Sequence, residues 1–113
     1  MLKRYIYMRG GSDMHSAAIY AKGTNTEDQV KRCREVARRR GLNVVQEFKD
    51  KTSDETVTDL PGLINLMQQV EMGKVDVVIV TGLGRLAQNE AALTDLTRTL
   101  SQHKVDLIAG EDR

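Results

Sequence analysis

The sequence predicts an α/β domain built on a mostly parallel sheet of four or five strands, with helices on both sides of the sheet. Short apolar runs alternate with amphipathic segments four times along the 113 residues, which is the pattern of parallel strands joined by crossover helices. One run, residues 75–80, is almost wholly apolar and β-branched, as expected for a central strand buried on both faces. The length suffices for one hydrophobic core and not for two.

The first strand is predicted at residues 16–21, a short apolar run. The polar loop of residues 24–28 follows, and the pattern becomes helical from Gln29. The apolar face of this helix carries Val30, Cys33, Val36 and Ala37. Gly41 is placed to end the helix, because glycine readily adopts the left-handed conformation found after helix C-termini.

Residues 42–48 are predicted to form the second strand, and residues 49–59 form a polar loop. Pro61 is well placed to open the next helix, since proline is favoured at the first helical position. The core face of this helix repeats at helical spacing through Leu63, Leu66, Met67 and Val70. Gly73 closes the helix and precedes the central strand at residues 75–80.

A third helix is predicted from about Leu86 to Gln102, and residues 105–109 form the last predicted strand. The inward positions of this helix are Leu93, Leu96 and Leu100. Residues 1–13 stand apart from the alternation and contain a linker-like Gly-Gly-Ser. Within them, residues 5–8 are compatible with an edge strand or with a plain extension. The chain therefore divides into an extension, residues 1–13, and one domain, residues 14–113.

Charge gives two alternative interpretations of the first helix. The formal net charge of +1 does not by itself argue for nucleic acid. Basic residues nevertheless crowd residues 31–40, where Lys31, Arg34 and Arg38 are the candidate nucleic-acid contacts. The alternative is an ordinary solvated face of an amphipathic helix.

Composition also indicates the cellular compartment. The single cysteine, Cys33, cannot form an intramolecular disulfide and suits a reducing compartment. No apolar run approaches the roughly 18 to 20 residues of a membrane span. We therefore expect a cytoplasmic protein that does not contact a membrane. His15 and His103 have no partner at metal-ligand spacing, so we expect neither a metal nor another cofactor.

A glycine-spaced turn follows the central strand. Gly82, Gly84 and Ala87 match the G-x-G-x-x-G/A spacing of a dinucleotide-binding loop. That motif belongs after the first strand of its fold, with an acidic residue about 20 positions further on. Here it follows the third strand, and the next strand ends only at Ala109. A different explanation of the turn is therefore favoured.

Three segments that follow predicted strands carry recognisable motifs. Ile19-Tyr-Ala-Lys-Gly-Thr-Asn25 is similar to Y-A-R-V-S-T. Phe48-Lys-Asp-Lys-Thr-Ser53 and Asp59-Leu-Pro-Gly-Leu63 are similar to F-x-D-x-x-S-G and D-R-P-G-L. Leu83-Gly-Arg-Leu-Ala-Gln-Asn89 is similar to L-D-R-L-x-R-N. In this order and spacing the segments resemble the catalytic domain of the serine recombinases, the resolvase–invertase family, over residues 17 to about 112. The resemblance implies a resolvase-like three-layer fold, with the three loops meeting at the carboxyl ends of the strands.

The resemblance also implies a chemistry. In this family a serine hydroxyl attacks a DNA phosphodiester and forms a covalent link to DNA, and arginines rather than a metal stabilise the transition state. At the matching positions Thr24 replaces the serine, Lys22 replaces the arginine two residues before it, and Leu60 replaces the arginine of D-R-P-G-L. Arg85 keeps one arginine of the last motif, and Gln88 replaces the other.

Three neighbouring positions, Asp50, Ser53 and Asp59, keep the family's residues. Loss of the oriented cations should nevertheless abolish cleavage, because removing one stabilising donor typically costs about 10²–10³ in rate. We therefore expect an inactive domain that serves as a regulatory or protein-interaction module in DNA recombination or mobile elements. It would assemble with itself or with a related recombinase, bind DNA weakly if at all, and have no small-molecule substrate. The alternative is a divergent recombinase that uses Thr24 as its nucleophile.

The resemblance implies further parts beyond this domain. Family members continue past the last strand into a long helix and a DNA-binding domain. The sequence ends before both parts, and it leaves open whether a longer protein carries them or the natural protein never had them.

Overall fold

The structure, a computed structural model, describes residues 3–5, 15–52, 60–87 and 89–110. The strands are β1 (Lys3–Tyr5), β2 (Ser16–Lys22), β3 (Asn43–Asp50), β4 (Val77–Val80) and β5 (Asp106–Ala109). The helices are α1 (Thr26–Arg40), α2 (Pro61–Glu71) and α3 (Glu90–Gln102), and a short 3-10 turn covers Leu83–Arg85. Among these helices, none is long and apolar enough to cross a membrane.

The five strands form one sheet in the order β1-β5-β4-β2-β3. The pairs β2–β3, β2–β4 and β4–β5 are parallel, and β1 pairs with β5 in the antiparallel direction. The predicted mostly parallel α/β sheet is confirmed. Its fifth strand, Lys3–Tyr5, shares only Tyr5 with residues 5–8, for which the sequence left an edge strand and an extension open, and residues 6–8 lie outside the described residues.

The two faces of the sheet are covered by different helices. Successive side chains of a strand point to opposite faces, so Ile19 and Ile79 pack against Cys33 of α1 on one face. Tyr20 and Val78 belong to the cluster on the other face, to which α2 and α3 contribute. All four residues of β4 are buried, which explains why that strand is almost wholly apolar and β-branched.

The first helix begins at Thr26, earlier than the predicted start at Gln29. Glu27 and Asp28 lie in its first turn, where acidic side chains favour the positive end of the helix dipole. The N–H of Gln29 already donates to the carbonyl of Asn25, at 3.1 Å. Gly41 ends the helix with φ of 68°, in agreement with the sequence prediction.

The third helix begins at Glu90, later than the predicted start at Leu86. The 3-10 turn ends just before Leu86, which is buried in the core rather than placed on a helix. Asn89 then caps the helix, because its side-chain oxygen accepts a hydrogen bond from the N–H of Ala92 at 2.8 Å. The other predicted ends differ from the observed ones by at most two residues.

Candidate functional site

The loop between β2 and α1 carries the position that the sequence assigns to the nucleophile. Gly23 has φ of +120°, in the left-handed region that L side chains rarely adopt. Its N–H donates to the main-chain carbonyl of Asp50 at 3.0 Å, which attaches the loop to the end of β3. Thr24 is exposed, whereas Lys22 and Thr26 on either side of it are buried. The loop therefore presents the Thr24 side chain to solvent.

A buried glutamine fixes this loop against α1. The side-chain oxygen of Gln29 accepts from the N–H of Lys22 at 3.0 Å, and its nitrogen donates to the carbonyl of Lys22 at 2.7 Å. The same nitrogen donates to the side-chain oxygen of Asn25, also at 2.7 Å. Gln29 is completely buried. A glutamine beside the apolar face of an amphipathic helix was the only signal for this role in the sequence.

Arg85 joins the turn after β4 to the same loop. Its Nη1 donates to the carbonyl of Lys22 at 2.9 Å, so Arg85 and Gln29 share one acceptor. The guanidinium passes directly over Gly23, where an added Cβ would lie 3.1 Å from Nη1. Glycine at position 23 thus satisfies both the backbone conformation and the close approach of the arginine.

Asp50 binds the start of α2. Its carboxylate accepts hydrogen bonds from the N–H groups of Gly62 and Leu63, at 2.8 and 2.9 Å, and from the hydroxyl of Tyr20 at 2.7 Å. Leu60, at the N-cap position, has no side chain that could accept these bonds. Asp50, at the end of β3, therefore takes the role of the N-cap side chain that α2 lacks. Burial, and then the hydrogen bond to Asp50, raises the pKa of the Tyr20 hydroxyl far above its usual value.

Gly62 allows this approach between β3 and α2. A Cβ on Gly62 would lie 2.8 Å from the carbonyl oxygen of Lys49 and 2.9 Å from a carboxylate oxygen of Asp50. Leu60 is buried and contributes an apolar side chain beside this junction. Position 60, to which the resemblance assigns an arginine, is therefore occupied by a buried apolar side chain.

These contacts bring Lys22, Thr24, Asp50 and Arg85 together at the carboxyl ends of β2, β3 and β4, as the order of the loops predicts. Their catalytic role, and that of their neighbours, stays a prediction. Three of the predicted neighbours lie outside the described residues, namely Ser53, Asp59 and Gln88.

The glycine-spaced turn after β4 supports the placement of Arg85. Gly82 is extended, with φ of −164°, and Gly84 has open space around it. Within the described part of the chain, the glycines with positive φ are Gly23, Gly41 and Gly73. The turn therefore works as a 3-10 connection that directs Arg85 towards β2.

The basic face of α1 is largely paired with carboxylates. Arg34 forms an ion pair with Glu47 of β3, and Arg38 pairs with Glu35 on the same helix. The hydrogen bond from Arg38 holds the pKa of Glu35 below its usual value, and Glu35 in turn raises the pKa of Arg38. Lys31 is exposed. The pairing of Arg34 and Arg38 reduces the charge available to a phosphate, and their contact with nucleic acid remains a prediction.

The described residues do not provide a set of side chains that could coordinate a metal ion. No group of three or more His, Cys, Asp and Glu side chains there is arranged to hold a metal ion. His15 lies 3.8 Å from the Asp76 carboxylate, which also accepts a hydrogen bond of 3.0 Å from the N–H of Ser16.

An open, mostly parallel sheet with this set of converging loops defines a domain of the serine recombinase catalytic class. The family model for the resolvase N-terminal domain matches residues 4–113, and the chain therefore belongs to that family. Comparison with curated proteins gave no significant match.

Solved structures agree with this assignment. The chain is similar to the C-terminal catalytic domain of ISC1926 TnpA, an IS607-like serine recombinase, with 28% identity and a TM-score of 0.74 over 81% of this chain. It spans 65% of that relative's length. Its fold is also similar to the N-terminal catalytic domain of TP901-1 integrase, with 23% identity, a TM-score of 0.72, and 81% and 74% of the two chains covered. A resolvase family site-specific recombinase from Streptococcus pneumoniae gives 20% identity, a TM-score of 0.71, and coverage of 82% and 70%.

Proposed function

We propose that this domain has lost the strand-cleavage activity of its family and serves as a regulatory or protein-interaction module in DNA recombination or mobile elements. The hydrogen bond from Arg85 to the Lys22 carbonyl, at 2.9 Å, carries the proposal. Arg85 is the family arginine that this chain retains in the turn after β4. A guanidinium oriented by a main-chain carbonyl has fewer donors to offer a phosphate in the bidentate geometry that stabilises phosphoryl transfer.

The surrounding replacements support the same conclusion. Leu60 is buried and carries no charge where the resemblance places an arginine. Lys22 is buried and lacks the planar fork with which arginine binds phosphate. Thr24 has a β-methyl group that restricts its χ1 angle and crowds in-line attack. Each missing donor typically costs about 10²–10³ in rate, so several losses together leave negligible cleavage.

The activity is tested on supercoiled plasmid DNA. The protein and its Thr24→Ser variant are incubated with plasmid, denatured, and analysed for nicks and for covalent protein–DNA adducts. An active serine recombinase with its own target plasmid is the positive control. Neither form should cleave, because restoring the serine does not restore the oriented arginines. An adduct on residue 24, identified by mass spectrometry, would contradict the loss of activity.

The interaction role is tested by assembly and DNA binding. We expect concentration-dependent self-association, or association with a related recombinase, in light scattering. DNA binding in a shift titration should be weak and should fall steeply between two salt concentrations, since scattered phosphate contacts alone would hold the DNA. If the protein is strictly monomeric and binds one DNA sequence tightly at physiological salt, the proposed role as an interaction module is contradicted.

The second candidate is a divergent recombinase with Thr24 as nucleophile. One observation favours it: Thr24 is exposed immediately after Gly23, over which the guanidinium of Arg85 lies. A nucleophilic hydroxyl and an arginine that stabilises transition-state charge are two of the parts that phosphoryl transfer uses. Cleavage by the unmodified protein that is lost in Thr24→Val, with folding retained, would establish this candidate.

A further inference from the structure

Two lysines at the end of β3 bind one carboxylate of α1. Nζ of Lys49 donates a hydrogen bond of 2.9 Å to one oxygen of Glu27, and Nζ of Lys51 lies 3.6 Å from the other oxygen. The hydroxyl of Thr26 donates to that second oxygen at 3.0 Å. Each oxygen of the carboxylate therefore faces a different ammonium group. We call Lys49 and Lys51 the lysine pair.

The lysine pair is attached to the loop after β2, which carries Thr24. The residue between the two lysines, Asp50, has a main-chain carbonyl that accepts a hydrogen bond of 3.0 Å from the N–H of Gly23. Glu27 is in the first turn of α1, three residues after Thr24. In the sheet, β3 and β4 lie on either side of β2. Basic side chains therefore approach this loop from both neighbouring strands, the lysine pair from β3 and Arg85 from β4.

The carboxylate of Glu27 occupies a place that suits a phosphodiester. A phosphodiester, like a carboxylate, presents two oxygens that share one negative charge, and lysine ammonium groups bind phosphate as point charges. The bond from Lys49 holds the pKa of Glu27 below its usual value, so this carboxylate is ionised at neutral pH. The lysine pair carries two positive charges, and Glu27 cancels one of them. A phosphate that replaced Glu27 would meet both ammonium groups.

The contact between Glu27 and the lysine pair is easily displaced. The side chains of Glu27 and Lys51 are 70% and 69% exposed, and exposed ion pairs contribute little to stability because water and salt screen them. The side chain of Lys49 is less exposed, at 29%, and is therefore more restricted than that of Glu27. Rotation of the glutamate side chain is enough to uncover both ammonium groups, and no helix or strand has to move.

We propose that the lysine pair is a contact site for the phosphate backbone of DNA, and that Glu27 blocks this site in the free protein. DNA binds there when one of its phosphates displaces the carboxylate, and this competition lowers the affinity of the domain for DNA. The phosphates of a duplex are closely spaced, so the contact requires no particular base sequence. The inference rests on the weak DNA binding that the proposed function includes.

This site differs from the contacts that the sequence suggested on α1. Of those, Arg34 pairs with Glu47 and Arg38 pairs with Glu35 on the far side of the first helical turn. The lysine pair lies instead at the carboxyl ends of the strands, where the ligands of open α/β sheets gather. We therefore expect the first contact with DNA at the lysine pair.

The test compares the 113-residue protein with its Glu27→Gln variant in the binding of a short fluorescein-labelled DNA duplex, followed by fluorescence anisotropy. The salt concentration is about 0.1 M, at which charges more than about 10 Å apart are largely screened. We expect Glu27→Gln to bind about two- to fivefold more tightly, the factor to which breaking one exposed ion pair corresponds. No binding by Glu27→Gln at about 0.1 mM protein, the weak end of non-specific DNA binding, overturns the inference.

Asp28→Asn is the matched control for this variant. It removes the same charge from the next residue of α1, and Asp28 pairs with Arg32 on its own helix at 3.2 Å. The affinity for DNA should change less than about 1.5-fold, because Asp28 does not contact the lysine pair in the described structure. Equal gains for the two variants would identify general charge attraction and overturn the inference.

A second substitution locates the phosphate. In the Glu27→Gln background, Lys51→Gln should remove the gain in affinity and reduce the slope of log affinity against log salt by about 0.9, the value for one phosphate contact. Lys74→Gln is the control, since Lys74 is exposed and precedes β4, at the other end of the strands. If Lys51→Gln leaves the gain in place, the DNA binds elsewhere and the inference is wrong. The affinity ratios decide this inference, whereas cleavage and assembly decide the proposed function, so the two can fail separately.

Discussion

Arg85 and Lys22 lie 63 residues apart in the chain, and a hydrogen bond of 2.9 Å joins the guanidinium of the first to the main-chain carbonyl of the second. The same carbonyl accepts a bond of 2.7 Å from Gln29. The carbonyl oxygen of Lys22 thus joins the turn after β4, the loop after β2 and the first turn of α1. A residue that the resemblance associates with phosphate also has a structural role, and that role can be measured without DNA.

Replacing Arg85 with glutamine should lower the free energy of unfolding by about 1–3 kcal/mol, because the buried Lys22 carbonyl loses the donor that the guanidinium supplies. Urea denaturation followed by circular dichroism measures the change. Arg98→Gln is the matched control, since Arg98 is exposed and its partner among the described residues is Asp95 on its own helix. Equal stability losses in the two variants would show that the bond to Lys22 does not contribute to the stability of the fold.

Gly23→Ala should destabilise the protein more than Gly41→Ala. Both glycines have positive φ, at 120° and 68°, but only an added Cβ on Gly23 would meet a neighbour, at 3.1 Å from Arg85. A strained backbone conformation costs about 1–3 kcal/mol, and the contact with Arg85 adds to it.

A double-mutant cycle separates the two contributions of Gly23→Ala. If the contact with Arg85 matters, Gly23→Ala should cost less in an Arg85→Ala background than in the natural sequence. The same cost in both backgrounds would assign the whole effect to the backbone of the loop.

Asp50→Ala should cost about 2–4 kcal/mol of stability, because the N–H groups of Gly62 and Leu63 and the hydroxyl of Tyr20 lose their acceptor together. Hydrogen exchange should show the first turn of α2 opening more readily than α1. Asp95→Ala, on the surface of α3, is the control. An unchanged exchange rate at Gly62 and Leu63 would contradict the capping role.

The sequence predicted the sheet and the order of the helices because apolar periodicity reports directly which faces are buried. It placed the start of α3 at Leu86 because that residue is apolar and continues the helical pattern. The N-cap Asn89 decided the real boundary. Sequence spacing could not identify the cap from Asp50 to Gly62 or the bond from Arg85 to Lys22, since both join residues that only the folded sheet brings together. Leu60 at an N-cap position was the available clue, because it cannot accept the bonds that a helix start requires.

The buried Tyr20 hydroxyl should make the protein sensitive to alkaline pH. Its pKa is raised in the folded state, first by burial and then by the bond to Asp50, so folding favours the protonated form. The stability that this contributes is fully present below the unfolded pKa of about 10 and is lost as the pH rises above it. Urea denaturation at several pH values between neutrality and the alkaline range measures the loss.

The comparison with Tyr20→Phe isolates this effect, because every other titrating group is present in both proteins. Below about pH 9, where the tyrosine is protonated in both states, the natural protein should be the more stable by about 1 kcal/mol, the value of one hydrogen bond. Above about pH 10 the difference should shrink by up to about 1.4 kcal/mol per pH unit and then reverse, since unfolding allows Tyr20 to ionise. In an Asp50→Asn background most of the pH dependence should remain, because burial is the larger cause of the shift. A difference between the proteins that stays constant through this range would mean that Tyr20 ionises as readily in the folded state as in the unfolded chain.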